Sequence, residues 1–323
     1  MSKKVIVAIT TYNLKDYIRQ CLDSVLSQET NFDYSLIIAD DCSSDGTVEI
    51  LKEYKEKYPD KIELILNKKN LGSLATSNLI FDKIDCEYFS FLDGDDYWLD
   101  SKRLQKQVDF LDSNPDYTLC GGNTHYMIDD KYADDVVEKR FLNKTFTFDD
   151  YVNNKCPFVH TSSLLVRNII FKDGLPTCYK EAVDTFENCA LRGEDFRRLI
   201  HFEKGKMFVS NEYYSVYRIH RGGTWQGSSS VHKALESAIA ANFYRKYFPE
   251  KYKGFFEGLH TIAYKQLLKK MILEDGLFNR YSLSEKDHLL LEQYLKDIRV
   301  DEMKVKQSKL VKFLTKVVFK LYK

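Results

Sequence analysis

Hydrophobic and polar positions alternate in blocks along the first hundred residues. Short runs rich in Val, Ile and Leu, of which KVIVAIT is the first, are bounded by polar residues and indicate buried strands. Between these runs, apolar residues recur at i, i+3 and i+4, which is the spacing of an amphipathic helix. Alternating strands and helices indicate βαβ units and a parallel sheet covered on both faces. The pattern predicts strands at 4–10, 34–40, 61–66 and 87–92, and helices at 14–28, 47–58 and 73–84.

The rest of the chain follows two other patterns. Residues 116–225 are less regular, whereas apolar residues return to helical spacing from about residue 230. The sequence contains no internal repeat. We therefore predict an α/β domain that is followed by a helical region. The predicted division is a domain at 1–228, with halves at 1–115 and 116–228, and a helical region at 229–323.

Polar residues follow each of the four predicted strands. In a parallel sheet the carboxyl ends of the strands lie at one edge, and ligands bind in the crevice outside that edge. Four polar clusters that are distant in sequence should therefore converge on one site. They comprise Thr10 and Tyr12 after the first strand, Asp40 and Asp41 after the second, Asn70 and Gly72 after the third, and Asp93, Gly94, Asp95 and Asp96 after the fourth.

The segment DGDD, residues 93–96, gathers three carboxylates within four residues. Like charges this close repel one another, and a bound divalent cation would relieve the repulsion. Mg²⁺ usually takes one or two carboxylates together with substrate phosphates, which suits a D-x-D pair at a strand end. An EF-hand is excluded because Trp98 and Leu104 stand where its loop needs Gly and Glu. A phosphatase with an aspartate nucleophile and a solvated turn both stay open at this point.

Composition narrows the class of protein without naming a partner. The chain of 323 residues is 44% hydrophobic, which is enough to fill a sizeable core. Its 48 basic and 48 acidic residues balance, so charge gives no indication of a nucleic-acid partner. The seven Cys include no C-x-x-C pair, and we expect reduced thiols in a cytoplasmic protein. We expect neither a signal peptide nor a membrane span, because no apolar stretch is long enough.

Six segments carry a resemblance to a known family. In order they are AITTYN, IIADDCSSDGT, NLGSLATSN, FLDGDDYW, GEDFR and YRIHRGG, and they span about residues 5–225. As an ordered set they resemble the family 2 glycosyltransferases of the GT-A fold. The resemblance implies a Rossmann-like sheet and the metal-dependent, inverting transfer of a hexosyl or N-acetylhexosaminyl unit from a UDP-sugar. The acceptor it implies is a hydroxyl of a glycan or lipid-linked glycan in bacterial cell-surface polysaccharide synthesis.

The same resemblance implies a donor-binding side. Thr10 and Tyr12 would flank the base, and Asp41 would accept a hydrogen bond from its N–H edge, which suits uridine. Asp45 is in the same segment, but capping of the helix that starts at Thr47 would explain it equally well. The residues that would lie near the ribose and the diphosphate are Asn70, Gly72 and Asn78.

A metal centre is also implied by the resemblance. Asp93 and Asp95, which flank Gly94, would bridge the ribose and the diphosphate through Mn²⁺ or Mg²⁺. Asp96 and His220 are further candidate ligands, and imidazole suits Mn²⁺ better than Mg²⁺.

The catalytic base that the resemblance implies is Asp195. It would take the proton from the acceptor hydroxyl, with Glu194 in support, near the N-terminus of a helix predicted at 196–202. His160 matches a position on the acceptor side, although a buried structural histidine would fit as well. Trp98 and Trp225 would either stack on sugar rings or pack in the core.

The C-terminal residues 303–323 differ from the rest of the chain in charge. They hold seven Lys and no acidic residue, so the remainder carries 41 basic against 48 acidic residues. On a helical wheel Leu310, Leu314, Val317 and Leu321 share one face, and five of the lysines share another: Lys309, Lys312, Lys316, Lys320 and Lys323. We expect this tail either to bind an anionic membrane surface or to pack on the body as an ordinary helix. The helical end could also support a homodimer.

Two other classes of function stay open on the sequence. A nucleotidyl- or phosphoryl-processing metal enzyme could use the same carboxylates, but the chain lacks the G-x-x-x-x-G-K-[ST] loop, and Glu194 and Asp195 are then unexplained. A non-catalytic module that binds nucleotide-sugars would need neither base nor D-x-D. It would be distinguished by binding of UDP-sugars without turnover.

Overall fold

The computed structural model of the protein describes residues 3–220, 228–273 and 284–300. Within these ranges the chain forms strands and helices in the alternation that the sequence predicts. The strands are β1 (Lys3–Thr11), β2 (Tyr34–Asp40), β3 (Ile62–Leu66), β4 (Cys86–Asp93), β5 (Tyr97–Trp98), β6 (Tyr117–Ile128), β7 (Lys131–Asp135), β8 (Lys144–Phe146), β9 (Leu165–Arg167) and β10 (Lys206–Ile219). The helices are α1 (Ile18–Leu26), α2 (Thr47–Lys57), α3 (Ser73–Phe81), α4 (Arg103–Ser113), α5 (Phe148–Val152), α6 (Thr177–Glu181), α7 (Asn188–Leu191), α8 (Glu194–Phe202), α9 (Ser230–Tyr247), α10 (Lys253–Leu273) and α11 (Glu285–Val300). Short 3₁₀ helices occupy Lys139–Phe141, Thr161–Ser163, Phe171–Asp173 and Glu250–Tyr252.

All the described strands belong to one mixed sheet. Its order is β3-β2-β1-β4-β9-β6-β10-β5, with β7 paired to β6 and β8 paired to β10. The first four strands are parallel, as the alternation of strands and helices predicts. β9 is antiparallel to both of its neighbours, β4 and β6, and β5 is antiparallel to β10. A parallel half therefore adjoins a mixed half that comes from the less regular part of the sequence.

The register of the parallel strands aligns their carboxyl ends. Thr10 of β1 is opposite Asp93 of β4, and Thr11 is opposite Asp40 of β2. Asp40 is in turn opposite Leu66 at the end of β3. The polar clusters that follow the four strands consequently meet at one edge of the sheet, which confirms the convergence predicted from the sequence.

Helices cover both faces of the parallel half, which explains why its strands are almost wholly apolar. On one face, buried side chains of α1, α2 and α4 pack with Val5, Val7 and Ile9 of β1. On the other face, the ring of Phe89 lies 5.4 Å from His201 of α8 and 5.6 Å from Phe171, centroid to centroid. The strand–helix layers therefore hold β4 rigidly from both sides.

The first helix begins later than its apolar spacing predicts. α1 starts at Ile18 rather than near residue 14. The preceding backbone N–H groups have partners outside the helix, because Leu14 donates to Thr47 Oγ1 and Lys15 donates to Asp45 Oδ2, at 2.9 and 3.0 Å. Leu14 and Lys15 are thus tied to the start of α2, and a single turn from Leu14 leads into α1.

The chain divides into two compact units. The first comprises residues 1–180 and 194–220, and the second comprises residues 181–193 and 221–323. The described helices of the second unit bury Leu235, Ile239, Leu267 and Tyr294, and the segment 181–193 packs against this core. The sequence-based boundary at residue 228 assigns that segment to the first domain, because nothing in its local pattern marks its partner.

Several sequence predictions fall outside the described residues. These are the role of Trp225 and the amphipathic tail at 303–323. Within the described ranges, no helix combines the length and the apolar character that crossing a membrane requires. None of the seven cysteines, all of which lie in the described ranges, forms a disulfide bond in this structure.

Candidate active site

The turn that follows β4 carries the carboxylate cluster into the mixed half of the sheet. Gly94 N–H donates to Thr10 O and Asp96 N–H donates to Asp93 O, both at 3.0 Å. The chain then enters β5, where Tyr97 pairs with Val216 of β10. This antiparallel pairing brings the residues that follow Val216 on β10 next to the turn.

Little space is left for a side chain at Gly94. A Cβ atom at this position would lie 3.1 Å from Ile18 Cδ1 and 3.2 Å from both Leu14 Cδ1 and Thr10 O. The turn is therefore seated directly against α1 and the end of β1, and the two flanking carboxylates are held in place by that contact.

Asp93 is the first carboxylate of the cluster. It is partly buried, and its Oδ1 lies 3.4 Å from the donor Thr10 Oγ1. Burial raises the pKa of Asp93 to about 6, and the nearby charge of Asp95 adds to the shift. A cation beside the cluster would favour its ionised form.

Asp95 is paired with His220. The Nε2 atom of His220 lies 3.0 Å from Asp95 Oδ2, and its ring lies 4.6 Å from that of Tyr17. The guanidinium of Arg218 donates to the Asp95 backbone carbonyl at 2.6 Å and also to Gln20 Oε1. The structure thus unites the DGDD and YRIH segments, which the sequence places more than a hundred residues apart.

Asp96 is fully buried, and only one of its two carboxylate oxygens receives a hydrogen bond within the described part of the chain. Its Oδ1 accepts a hydrogen bond from Arg218 N–H at 2.9 Å, but among the described residues no donor reaches Oδ2. The nearest basic group is His160 Nδ1, 3.9 Å away. Burial, together with the charges of Asp95 and Asp93, raises the pKa of Asp96 well above its ordinary value.

On the predicted nucleotide side, Asp41 binds a loop of its own chain. Its carboxylate accepts hydrogen bonds from Leu71 N–H (2.7 Å), Gly72 N–H (2.9 Å) and Asn67 Nδ2 (3.0 Å). Gly72 has φ +85°, a conformation that suits glycine. Asp41 therefore organises the loop after β3, a role that no local sequence signal indicates.

Asp45 precedes Gly46, the N-cap of α2, and its carboxylate binds the first residue of that helix. Its Oδ1 accepts from Thr47 N–H at 2.9 Å and from Thr47 Oγ1 at 2.6 Å, at the start of α2. Its other oxygen holds Lys15 N–H. Both carboxylate oxygens are thus engaged within the loops.

The other predicted donor-side residues differ in exposure. Tyr12 is half exposed at the edge of the sheet, and Asn70 is exposed with its Oδ1 accepting from Gly72 N–H at 3.2 Å. Asn78 is buried on α3, where its Nδ2 donates to Tyr179 O at 2.8 Å. Its Oδ1 finds no donor among the described residues, which leaves an acceptor for a ligand.

The predicted catalytic base, Asp195, and its neighbour Glu194 stand at the start of α8. Glu194 Oε2 accepts from Thr161 N–H at 2.7 Å, while the exposed Asp195 receives a hydrogen bond from Arg198 at 2.6 Å. Burial raises the pKa of Glu194 to about 7, and the charge of Asp195 contributes to the shift. The helix N-terminus favours the negative charge of both.

A buried arginine that sequence reasoning missed supports this pair. Arg103 donates to Ser162 O at 2.6 Å and to Leu164 O at 3.0 Å, and so fixes the turn that presents Thr161 N–H to Glu194. A polar residue at a helix start normally indicates solvent exposure, so the sequence carries no signal for it. The same turn includes His160, whose pKa burial lowers to about 4 and whose ring stacks on Tyr217 at 4.4 Å.

Comparison with known proteins identifies the family. The model of glycosyl transferase family 2 matches residues 6–175, which is more than half of the chain. The chain belongs to glycosyl transferase family 2. The matched segment includes β1 to β4, the DGDD turn and the turn around Thr161.

Relatives of this family 2 member include proteins of several bacteria. An uncharacterised protein of Mycobacterium tuberculosis is 30% identical over 223 residues, which cover 69% of this chain and 60% of the relative. The poly(ribitol-phosphate) beta-glucosyltransferase of Bacillus spizizenii is 28% identical over 251 residues, covering 74% of this chain and 36% of that protein. The chain therefore spans about three fifths, or less, of the length of these relatives.

Solved structures share the fold. S. aureus TarS 1–349 in complex with UDP-GlcNAc superposes with a TM-score of 0.63 at 17% identity, over 99% of this chain and 89% of that one. The Pyrobaculum calidifontis mannosyltransferase PcManGT, in complex with GDP-Man and Mn²⁺, gives 0.53 at 15% identity, over 100% and 85%. These likenesses confirm the GT-A fold that the sequence resemblance implies.

The donor atoms around Asp95 fit a metal that is shared with a substrate. Among the described residues, no three His, Cys, Asp or Glu side chains are arranged to hold an ion by themselves. Asp95 and His220 supply one carboxylate and one imidazole, and the unpaired Oδ2 of Asp96 lies in the same turn. Two or three protein ligands with the remainder from phosphates is how Mg²⁺ and Mn²⁺ are often bound in such enzymes.

Proposed function

We propose that the protein is an inverting glycosyltransferase that moves a sugar from a UDP-sugar to a hydroxyl of a glycan acceptor. Membership of family 2 supports the reaction class. The observation that carries the proposal is that the DGDD turn contacts His220 and that the charge of Glu194, at the start of α8, acts on Asp93 of the same turn. The reaction needs two parts. One is a cluster of carboxylates and an imidazole that can bind the leaving group through a metal, and the other is a base, here at the start of a helix, that takes the proton of the acceptor.

The donor side would use the ends of β1, β2 and β3. Tyr12 is exposed enough to stack on a base, and Thr10 borders Asp93. Asp41 keeps the loop that carries Asn70 and Gly72 in position, and would contact the base from the same place. The unpaired Oδ1 of Asn78 offers an acceptor for a sugar or ribose hydroxyl. A uridine nucleotide fits this mixture of one ring and several hydrogen-bonding groups.

Asp93, Asp95 and His220 would hold Mn²⁺ or Mg²⁺ together with the diphosphate, with the Oδ2 of Asp96 available beside them. When bound, the ion would neutralise negative charge on the departing nucleoside diphosphate. Arg218 keeps this side in register, since it is bonded to both Asp95 and Asp96. These residues would thereby fix the position of the departing nucleoside diphosphate.

Proton transfer would fall to Asp195. Its carboxylate is exposed, so an acceptor hydroxyl can approach it, and Arg198 orients it from below at 2.6 Å. As the hydroxyl oxygen bonds to the anomeric carbon and the diphosphate leaves from the opposite face, Asp195 takes the hydroxyl proton. Glu194 would act as a positioning residue through its bond to Thr161 N–H. Displacement from the face opposite to the leaving group inverts the anomeric centre.

The acceptor class rests on the relatives. One of them is named as a poly(ribitol-phosphate) beta-glucosyltransferase and another as a putative teichuronic acid biosynthesis glycosyltransferase. We take a bacterial cell-surface polysaccharide, or its lipid-linked precursor, as the acceptor of this chain.

Release of UDP tests the proposal. A panel of UDP-sugars is incubated with Mn²⁺, with and without EDTA, using wild type, Asp195→Asn and the control Asp149→Asn. Asp149 is also an exposed acid in the first turn of a helix, α5, but it stands outside the site. We expect slow hydrolysis of one donor that EDTA abolishes and that Asp195→Asn lowers by about a hundredfold. Turnover indifferent to Asp195 or to EDTA would refute the base or the metal respectively, and binding without turnover even with lipid-linked glycan would favour a binding module.

A further inference from the structure

Arg197 is a buried arginine whose hydrogen-bond donors are mostly unused. The residue is 5% exposed and stands on α8, two residues after Asp195. Its one side-chain hydrogen bond within the described chain runs from Nη2 to Thr161 Oγ1 and is long, at 3.3 Å. Its guanidinium otherwise lies over an aromatic ring, 4.0 Å from the centroid of Phe91. No carboxylate of the described residues comes within ion-pairing distance of it.

Other buried arginines of the same unit have short hydrogen bonds, although Nε of Arg198 and of Arg218 finds no acceptor among the described residues. Arg103 has no carboxylate partner either, but it donates to four oxygens, at 2.6–3.0 Å. Arg198 forms a 2.6 Å ion pair with Asp195. Of these buried arginines, Arg197 is the one that has neither a short hydrogen bond nor an ion pair within the described residues.

Burial of a guanidinium with few partners lowers the stability of a folded protein. A guanidinium removed from water loses its hydration, and the loss is recovered only through hydrogen bonds or an opposite charge. The cation–π contact with Phe91 recovers part of it. The remaining donors are therefore suited to a partner that arrives with a ligand.

The position of Arg197 indicates which ligand. Side chains alternate along a strand, so Phe91 and Asp93 of β4 project from the same face. The guanidinium that covers Phe91 consequently lies on the side of the sheet to which Asp93 points. Its hydrogen-bond partner Thr161 also binds Glu194 through the backbone N–H. The charges of Asp93 and Glu194 both act on Arg197 through space. Arg197 is thus placed between Asp93, the first carboxylate of DGDD, and the carboxylates of Glu194 and Asp195.

This location corresponds to the transferred sugar rather than to the diphosphate. Arg218 of β10 and His220, directly after that strand, contact Asp95, and in the sheet β10 is separated from β4 by β9 and β6. Arg197 packs on β4 itself, next to the Glu194–Asp195 pair. In a displacement reaction the sugar lies between the base and the leaving group. A group that reaches Arg197 would therefore be a substituent of the sugar ring.

We propose that Arg197 binds a carboxylate on the transferred sugar, so that the donor is a nucleoside diphosphate hexuronate. This inference rests on the glycosyltransferase function proposed above and narrows the hexosyl donor to one oxidised at C6. A carboxylate matches the planar fork of a guanidinium with two parallel hydrogen bonds, and it neutralises the buried charge. A neutral hydroxymethyl group does neither, and would leave the guanidinium charge uncompensated.

Calorimetric titration with Mn²⁺ present tests the proposal, using UDP, UDP-glucose and UDP-glucuronate. The two sugars differ only at C6. We expect the wild type to bind UDP-glucuronate at least about tenfold more tightly than UDP-glucose. Arg197→Met keeps an apolar stem over Phe91 and should abolish this preference while its affinity for UDP stays unchanged. Arg197→Lys, which keeps the charge but not the fork, should retain part of it.

Each other outcome has a definite meaning. A wild type that binds UDP-glucose as tightly as UDP-glucuronate overturns the proposal. An Arg197→Met variant that loses affinity equally for UDP, UDP-glucose and UDP-glucuronate also overturns it, because Arg197 would then bind the diphosphate that all three share. Arg19→Met, which removes an exposed ion pair with Glu53, is the matched control. If Arg197→Met does not fold, the wild-type preference and Arg197→Lys still decide the matter. If UDP itself does not bind, the uridine donor fails, and glucuronate 1-phosphate against glucose 1-phosphate then tests Arg197 separately.

Discussion

His220 Nε2 lies 3.0 Å from Asp95 Oδ2, although 125 residues separate the two in sequence. The pairing of β5 with β10 is what joins them, because it returns the chain from the DGDD turn to the strand that ends beside His220. An imidazole against a carboxylate at a strand edge is a donor pair for a divalent cation.

Substitution of His220 should therefore change metal preference. We expect His220→Ala to weaken the apparent affinity for Mn²⁺ in UDP-sugar hydrolysis by about tenfold or more, and to reduce the advantage of Mn²⁺ over Mg²⁺. Initial rates over a range of each metal measure both effects. His125→Ala is the matched control, because His125 forms a similar pair with Asp135 at 2.8 Å on β6 and β7. An unchanged ratio of Mn²⁺ to Mg²⁺ activity in His220→Ala would remove His220 from the metal site.

Replacement of Gly94 should disturb the site through space alone. In Gly94→Ala the new methyl group meets Ile18, Leu14 and the Thr10 carbonyl at 3.1–3.2 Å. We expect a loss of about 1–3 kcal/mol in the free energy of unfolding, measured in urea, together with weaker metal-dependent UDP binding. Gly258→Ala is the control, since a Cβ there meets nothing within 4 Å and α10 should gain about 0.5–1 kcal/mol. Equal stability of the two variants would show that the turn can shift freely.

Arg103 should matter for stability rather than for chemistry. Arg103→Met removes one of two buried donors from each of the carbonyls of Ser162 and Leu164, which Trp98 Nε1 and Ser90 Oγ still reach. It also removes the donor to Gln107 Oε1, and we expect a loss of about 3 kcal/mol in the free energy of unfolding. Urea denaturation of the variant against wild type measures it. Arg19→Met removes a fully exposed ion pair with Glu53 and should change the midpoint little. A similar small effect in both variants would mean that water replaces Arg103 in the turn.

Much of the donor half could be predicted from the sequence because its signals are local. The strands β1 to β4 are short apolar runs bounded by polar residues, and a parallel arrangement then requires their ends to meet. The aligned register of Thr10 with Asp93 follows from that topology. The positions of Glu194 and Asp195 at a helix start were also predictable, although their roles remain predictions.

The contacts that complete the site could not be predicted, because they join distant segments. No local signal indicates that the oxygens of Asp41, beside the predicted contact with a nucleotide base, hold the backbone N–H groups of Leu71 and Gly72. Arg103 and Arg197 occupy helix positions whose local pattern does not distinguish a buried cation from a solvated one. Burial of these groups depends on the whole fold, and a single sequence carries no local signal for it.

The carboxyl of Glu194 should make stability depend on pH near neutrality. Burial raises the pKa of Glu194 to about 7 from an ordinary value of 4.5, so the folded state binds this proton more tightly than the unfolded state. The stability that this proton contributes is fully present below about pH 4.5, and it is lost as the pH rises through about 7. Glu194→Gln keeps an oxygen for Thr161 N–H and cannot ionise.

We therefore expect wild type and Glu194→Gln to be similarly stable at pH 5, and the wild type to be less stable by about 2 kcal/mol at pH 8, allowing for the partial solvent exposure of this carboxyl. Urea unfolding of both proteins at the two pH values measures the difference, and the comparison at pH 5 serves as the internal reference. If the two curves stay parallel from pH 5 to 8, Glu194 ionises as freely in the folded protein as in the unfolded chain. Its bond to Thr161 would then serve to position a carboxylate, not a neutral acid, beside Asp195.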